Sequence, residues 1–303
     1  MQTTAELLDG IRRSITAHAR PDHRTPIDGL LMSSVTDAGT HHCMTEPLLV
    51  VMARGGKRIL LGDEVFEYRA GQILVVTAVL PVTGHFLDAS PQVPALAMGL
   101  ALRPAALAPL LLDAPVAPRP QAVGPPALAT GEAGPELLDA VARLLRLVDR
   151  PADARVLAPL IEREILWRLL TGPLGDAVRR IGLADSGLSH VNRAIRWIRD
   201  HYAEPMLVPE LARSAGMSPS AFHRHFRAVT TMSPLQYQKR IRLQEARSAL
   251  AVRPGDVAGA GHRVGYDSPT QFNREYRRLF GVPPGQDAAR LRAAGPPAVP
   301  QLL

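Results

Sequence analysis

The chain has 303 residues, 46% of them hydrophobic, and a formal net charge of +7, which is enough length and apolar content for two domains with real cores. Its one cysteine, Cys43, excludes an intramolecular disulfide and a cysteine-rich zinc site. No uninterrupted apolar run reaches the ~18 residues of a membrane span, so no membrane partner is expected.

The charge is uneven. Residues 188–292 hold 17 Lys and Arg against 8 Asp and Glu, a net +9, while residues 1–187 hold 18 against 20, a net −2. A basic surplus confined to the C-terminal third points to a polyanionic partner for that part alone, or to a solvated basic surface. Only Lys57 and Lys239 are lysines, so the positive charge is nearly all arginine. The N-terminal MQTTAELLDGIRRSITAHAR lacks the charged-then-apolar pattern of a signal peptide. Together with the lone cysteine this gives a cytoplasmic expectation.

Residues 5–19 are expected to form an amphipathic helix with Leu7, Leu8, Ile11 and Ile15 on one face. Residues 29–103 read as short strands: LLMSSV, PLLVVMA, KRILL, EVFEY, QILVVTAV, GHFLDA and ALAMGLAL. Gly55-Gly56 and Gly62-Asp63 read as two-residue hairpin turns, and Gly71 and Pro81 mark further turns. Many short strands with tight turns predict a small antiparallel barrel or sandwich. Such a barrel is filled by side chains or holds one small ligand. Residues 113–135 read as a connector.

Two helices are expected next, over 136–149 and 153–171, packing on the barrel or on a second copy of the chain. Residues 173–187 hold three glycines, and Ser186-Gly187 reads as a domain boundary. From 188 the pattern is helical, over 188–201, 208–215, 219–229, 234–251, 256–264 and 269–279. Residues 293–303 read as a flexible tail.

Two short basic segments repeat fifty residues apart, SPSAFHRHFR at 218–227 and SPTQFNREYR at 268–277. Ser218 is a good N-cap and Pro219 suits the first helical position. A short helix ending at Gly216 precedes it, and helix, glycine turn, helix is the helix-turn-helix pattern. Phe222, Phe226 and Val229 fall on the inward face, leaving Ser220, Ala221, His223, Arg224 and Arg227 outside. In the second segment Ser268 to Gln271 reads as a capping box. Phe272, Tyr276 and Leu279 face inward, while Thr270, Asn273, Arg274 and Arg277 stay outside. Arginine can bond guanine bidentately, and asparagine adenine, in the major groove. Two such helices joined by a helix over 234–251 can enter consecutive grooves about 34 Å apart. The competing reading is a basic helical bundle whose repeat only packs.

Residues 188–292 closely resemble the DNA-binding domain of the AraC/XylS family of bacterial transcription regulators, through AFHRHFRAVT, SPLQYQKRIRLQEA and VGYDSPTQFNREYRRLFGVPP. TPIDGLLMS, LGDEVFEYRAGQILV, LPVTG and VLAPLIEREILWRLLTGP resemble an AraC-type N-terminal domain, a cupin-like β-barrel followed by helices. The resemblance implies an α+β chain. An N-terminal cupin-like domain for sensing or dimerisation spans 1–187, with helices over 136–171. An all-α domain spans 188–292, with helix-turn-helix units at 207–229 and 256–280. The implied base contacts fall on Ser220, His223 and Arg224, and on Thr270, Asn273 and Arg274. The implied partner is double-stranded DNA, with RNA polymerase added in activators. A small-molecule effector and a homodimer remain open. Gly259 and Gly261 depart from the family, each at a cost of ~1 kcal/mol against alanine, which leaves the stiffness of the second unit in question.

A cupin-like barrel can instead be a metal-dependent enzyme fused to a DNA-binding domain. Its only candidate ligands are His41, His42, Glu46 and His85. His41 and His42 are adjacent, so on a strand they point to opposite faces. No metal, catalytic residue or cofactor is therefore assigned. Cys43 reads as a small buried hydrophobe before a redox sensor or methyl acceptor. A non-specific nucleoid protein would need only Arg and Lys on the outer faces, whereas Gln, Asn and His argue for base reading.

Overall fold

Thr3 Oγ1 accepts from the Glu6 N–H at 3.3 Å, and the Glu6 carboxylate accepts from the Thr3 N–H at 2.7 Å. This closed box satisfies two free donors at the start of helix α1, Thr4–His18. Leu7, Leu8, Ile11 and Ile15 are its buried face, as the periodicity predicts. The computed structural model describes residues 2–114, 126–183 and 186–294. The described residues divide into two units, the first running to Ser189 and the second starting at His190.

In the first unit eight strands follow α1: β1 Leu30–Val35, β2 Thr40–Met44, β3 Leu48–Arg54, β4 Gly56–Leu61, β5 Glu64–Arg69, β6 Gln72–Val76, β7 Pro81–Leu87 and β8 Ala95–Ala101. Helix α2, Pro104–Asp113, and strand β9, Leu128–Glu132, come next. All strands pair antiparallel, in two sheets ordered β1-β8-β3-β6-β9 and β2-β7-β4-β5. The two ladders are separate among the described residues, so the expected barrel takes the form of a sandwich without a closed hydrogen-bonded ring. Helix α1 packs on β1, β3 and β8. With the second sheet on the other side, β3 and β8 are covered on both faces, and both read as unbroken apolar runs.

Gly62-Asp63 closes the β4–β5 hairpin, where Leu61 faces Glu64. Gly55-Gly56 makes no hairpin, because β3 and β4 lie in different sheets. Gly55, at φ +82°, carries the chain from one sheet to the other past Ala95, whose Cβ would stand 3.2 Å from a Cβ there. Neither β2 nor β9 is among the expected strands. THHCM has no apolar alternation, and LATGE is an edge strand inside a segment rich in Pro, Gly and Ala.

Helix α3, Pro135–Arg146, buries seven residues and packs on α1 and on α4, Pro151–Thr171. A short 3-10 turn over Leu147–Asp149 joins them. Helix α5, Gly175–Gly182, packs on α2 and α4. Both α2 and α5 run counter to simple propensity, since α2 contains Pro109 and α5 lies in the glycine-bearing stretch read as a break. Residues 115–125 of the expected connector, residues 184–185 beside the expected boundary, and residues 295–303 of the expected tail lie outside the described residues.

The remaining helices are α6 Gly187–Asp200, α7 Val208–Ser214, α8 Pro219–Thr230, α9 Pro234–Val252, α10 Val257–Arg263, α11 Pro269–Phe280 and α12 Pro284–Ala294. Phe222, Phe226 and Tyr237 form one aromatic core between α8 and α9, with ring centroids 5.4 and 5.5 Å apart. Leu243, Ala246, Leu250, Val264, Tyr266, Phe272 and Tyr276 form a second, between α9, α10 and α11. Helix α12 closes that second core with Ala288. GVPPGQDAAR carries no apolar stripe that marks α12 in the sequence, and the helix is held by Ala288 and by contacts of Asp287.

Candidate nucleic-acid interface

Each half of the C-terminal unit is built the same way. Helix α7 ends in a turn where Gly216 adopts φ +77°, and α10 ends in a turn where Gly265 adopts φ +85°. Only glycine takes that conformation without strain. The second turn is one residue longer before its N-cap serine, Ser268. Ser218 Oγ accepts from the Ala221 N–H at 3.4 Å, and Ser268 Oγ accepts from the Gln271 N–H at 3.3 Å. The second box is only half closed. The Gln271 side chain turns away from the cap and donates to Glu275 Oε1 at 3.2 Å. The complete box is at Ser233 and Gln236, opening α9.

Packing sets the outward faces. Phe222, Phe226 and Val229 of α8 are buried, as are Phe272 and Tyr276 of α11. Leu279 is half-buried. Ser220, His223, Arg224 and Arg227 are exposed on α8, and Thr270, Asn273, Arg274 and Arg277 are exposed on α11. Among the described residues no acidic side chain pairs with any of these four arginines. Helix α8 has no Asp or Glu. Helix α11 has one, Glu275, and it is turned inward.

Glu275 is held by three donors: Lys239 Nζ at 2.8 Å, Tyr266 OH at 2.7 Å and Gln271 Nε2 at 3.2 Å. Burial pushes its carboxyl up, but these hydrogen bonds outweigh burial and hold it below the usual carboxylate range. Burial and the Glu275 contact push the Tyr266 hydroxyl well up. The acid therefore stays charged, yet its charge is spent inside the domain and not on the outer face.

A second inward acid, Asp287 of α12, accepts from Arg247 Nε and from Tyr276 OH, each at 2.8 Å. Its side chain is 6% exposed. This contact anchors α12 to α9 and α11. Arg242 of α9 donates to four backbone carbonyls. They are Tyr202 O at 2.6 Å, Ala203 O at 3.2 Å and Glu204 O at 2.9 Å, after α6, and Gly265 O at 2.8 Å, in the second turn. Gln238, one turn earlier, reaches the same stretch through Tyr202 O at 3.1 Å and Glu204 O at 2.9 Å. His190 Nδ1 meets Ala215 O at 2.6 Å and ties α6 to the end of α7. None of these contacts had a local sequence signal, since each joins residues 11 to 40 positions apart.

Gly259 and Gly261 have steric reasons. A Cβ on Gly259 would collide with the Asp256 carboxylate, the N-cap group that accepts from the Gly259 N–H at 3.0 Å. A Cβ on Gly261 would stand 3.0 Å from the Phe272 ring. Gly259 leaves room for the Asp256 cap, and Gly261 lets α10 lie close against Phe272 of α11.

The candidate histidines of the first unit are spread apart among the described residues. His42 Nδ1 lies 2.9 Å from Thr83 Oγ1, and the His41 ring stands edge-on to Phe86 at 6.3 Å. Glu46 is exposed and His85 half-buried. Among the described residues no group of three or more His, Cys, Asp or Glu could hold a metal ion. Cys43 is buried, and burial pushes its thiol up. The unexpected residue is Lys57, 1% exposed inside the sandwich with Nζ 4.3 Å from the Phe86 ring centroid. Gly84 leaves it room, since a Cβ there would stand 3.2 Å from Lys57 Cε. No helix among the described residues is long and apolar enough to cross a membrane.

A β-sandwich with flanking helices, followed by two helix-turn-helix units that share one connecting helix, defines a protein of the helix-turn-helix class. Residues 26–177 match the AraC-type transcriptional regulator N-terminus, and residues 211–290 match a helix-turn-helix domain. The chain belongs to the AraC/XylS family. It is 28% identical over 156 residues to the HTH-type transcriptional activator RhaS of Salmonella arizonae, and 28% over 160 residues to RhaS of Salmonella typhimurium. Each alignment covers 50% of this chain and 56% of the relative, so the chain spans little more than half the length of these curated proteins. The fold is similar to that of apo ToxT from Vibrio cholerae, with a TM-score of 0.56 at 7% identity, covering 88% of this chain and all of that one. Unsaturated fatty acid bound ToxT gives 0.54 at 6% identity, covering 88% and 96%.

Proposed function

We propose that the chain is a sequence-specific DNA-binding regulator that lays α8 and α11 in consecutive major grooves on one face of the duplex. The observation that carries this is the pair of outward faces whose arginines have no acidic partner among the described residues. Each face stands beyond an inward aromatic row, and the two are joined by one helix of 19 residues. At the usual rise that helix is about 28 Å long, close to the ~34 Å between successive grooves. Ser220, His223, Arg224, Thr270, Asn273 and Arg274 are the proposed base contacts. Arg227 and Arg277, one turn further on, suit phosphates. Selection from random duplexes should return a site of roughly 15–20 bp with two subsites about one helical turn apart. Recovery of no preferred sequence would reject the reading.

The same reading places the protein in the cytoplasm, gives the sandwich no catalytic role, and adds RNA polymerase as a partner if the chain activates, as RhaS is named to do. It also includes a homodimer. Asp153, Val156, Leu160 and Arg163 form one exposed stripe of α4, with Val156 and Leu160 66% and 61% exposed. Set antiparallel about Ala158, Val156 would meet Leu160 of the partner subunit while Asp153 would meet Arg163 of the partner subunit. A two-fold contact requires that self-complementarity. A small-molecule effector, expected in the barrel, is proposed instead beside the sandwich. A groove of about 1070 Å³ lies between α2 and α4, with Ile27, Leu147 and Leu166 as walls and Arg103 and Glu162 as polar groups. A metabolite panel that leaves DNA affinity unchanged would count against the effector.

A further inference from the structure

We propose that Arg242 is the positioning residue that sets the distance and angle between the two DNA-reading helices. The proposal rests on the two-groove reading above and deepens it. Helix α9 runs from the core of the first half to the core of the second, with Tyr237 in one and Leu243, Ala246 and Leu250 in the other. Apolar side chains fix which face of α9 is buried. They are non-directional and do not by themselves fix the rotation of one half against the other.

Arg242 supplies the direction. Its planar guanidinium and Nε present donors in a fixed fork. Three carbonyls after α6, at Tyr202, Ala203 and Glu204, and one carbonyl of the second turn, at Gly265, take those donors. One side chain therefore crosslinks the end of α6 to the turn that aims α11. Gly265 completes the joint. Its φ is +85°, its carbonyl is the fourth acceptor, and a Cβ there would collide with Ala203 O. The backbones of the two halves meet at this point with no side chain between them. Gln238 also reaches the stretch after α6, through Tyr202 O and Glu204 O. The Lys239–Glu275 pair joins α9 to α11 alone.

A lysine at this position keeps the charge and loses the fork, so it can serve the carbonyls on one side only. The two cores remain, and the domain keeps its helices while the hinge between halves loosens. That separates a positioning role from a merely structural one.

The test uses the full chain with spin labels at Arg213→Cys on α7 and Arg278→Cys on α11, both exposed, while the native Cys43 is buried. Wild-type Arg242 should give one narrow distance distribution, and Arg242→Lys and Arg242→Met a broader or shifted one at unchanged helix content. On duplexes carrying the selected site, moving the subsites apart by two base pairs should weaken wild-type binding roughly ten-fold, the scale of one lost base contact. The same change should weaken the variants by no more than about three-fold, because a loosened joint follows the displaced groove. Should Arg242→Met fail to fold, Arg242→Lys carries the test. A variant with the wild-type distance distribution overturns the proposal, whatever its DNA affinity. If the wild type selects no two-part site, the two-groove reading fails, and the distance measurement still decides whether Arg242 fixes the halves.

Discussion

Gly261 of α10 lies against the ring of Phe272 of α11, so close that a Cβ would stand 3.0 Å from Phe272 Cδ1. Phe272 is 1% exposed and is flanked by Tyr266 and Tyr276 at 5.4 and 5.5 Å, so it has little freedom to move aside. Ordinary helix propensity says Gly261→Ala should stabilise by about 1 kcal/mol. Overpacking a filled core costs about 1–3 kcal/mol, and here it outweighs propensity. Gly261→Ala should lower the urea midpoint of the C-terminal unit. A raised midpoint would mean the Phe272 ring yields.

Arg224→Ala and Arg274→Ala should each cost about 1–3 kcal/mol of DNA affinity and relax base preference in different subsites. Competition binding against single-base variants of the selected site reads this directly. Equal loss on all sequences would make these arginines phosphate contacts.

The α4 stripe gives a separate prediction. Leu160→Asp places a charge at the centre of the proposed contact, facing Val156 of the partner subunit, and should convert dimer to monomer in sedimentation. Leu160 is 61% exposed, so the variant should fold with stability within about 0.5 kcal/mol of the parent at low concentration. A parent that is already monomeric at high concentration removes the dimer from the reading.

Burial lowers Lys57 from the lysine value of 10.5 to about 8. Between those values the unfolded chain binds more protons than the folded chain, so stability from Lys57 rises with pH across that window. Below about pH 8 the cost of holding the buried ammonium is fully present. Cys43, raised by burial, acts in the opposite sense, so the quantity to follow is the difference between parent and Lys57→Met. The variant should be more stable at pH 7 by about 1–3 kcal/mol, and the gap should shrink toward pH 10. A gap independent of pH would mean Lys57 is not desolvated as its position implies.

Local chemistry was legible where local chemistry decides. Ser218 was readable as a cap because it and the N–H it accepts from lie within one helical turn, whereas the Ser268–Gln271 box, read on the same spacing, closes only by half because Gln271 turns to Glu275. Leu7, Leu8, Ile11 and Ile15 were readable because a helix repeats its face. Phe222, Phe226, Phe272 and Tyr276 likewise separated the inner rows from the outer arginines. The Gly62-Asp63 hairpin was readable for the same reason, whereas Gly55-Gly56 was not. A glycine pair between two strands looks alike whether the strands pair or part into different sheets. Strand β2, with its run of His41 and His42, and the Pro-bearing α2 gave no pattern of their own and are held by their neighbours.

By itself the sequence determined the two halves of the chain, the family, and the two repeated units with their outward arginine faces. Those depend on residue types at short fixed spacings, which the chain carries openly. Only the tertiary structure decided that the sandwich has two separate ladders, that Glu275 and Asp287 spend their charge inward, that Gly261 leaves room for a ring, and that Arg242 spans four carbonyls. Each of these joins groups far apart in the chain. A hydrogen bond or steric contact acts over a few ångströms of space and carries no memory of the number of residues between its ends.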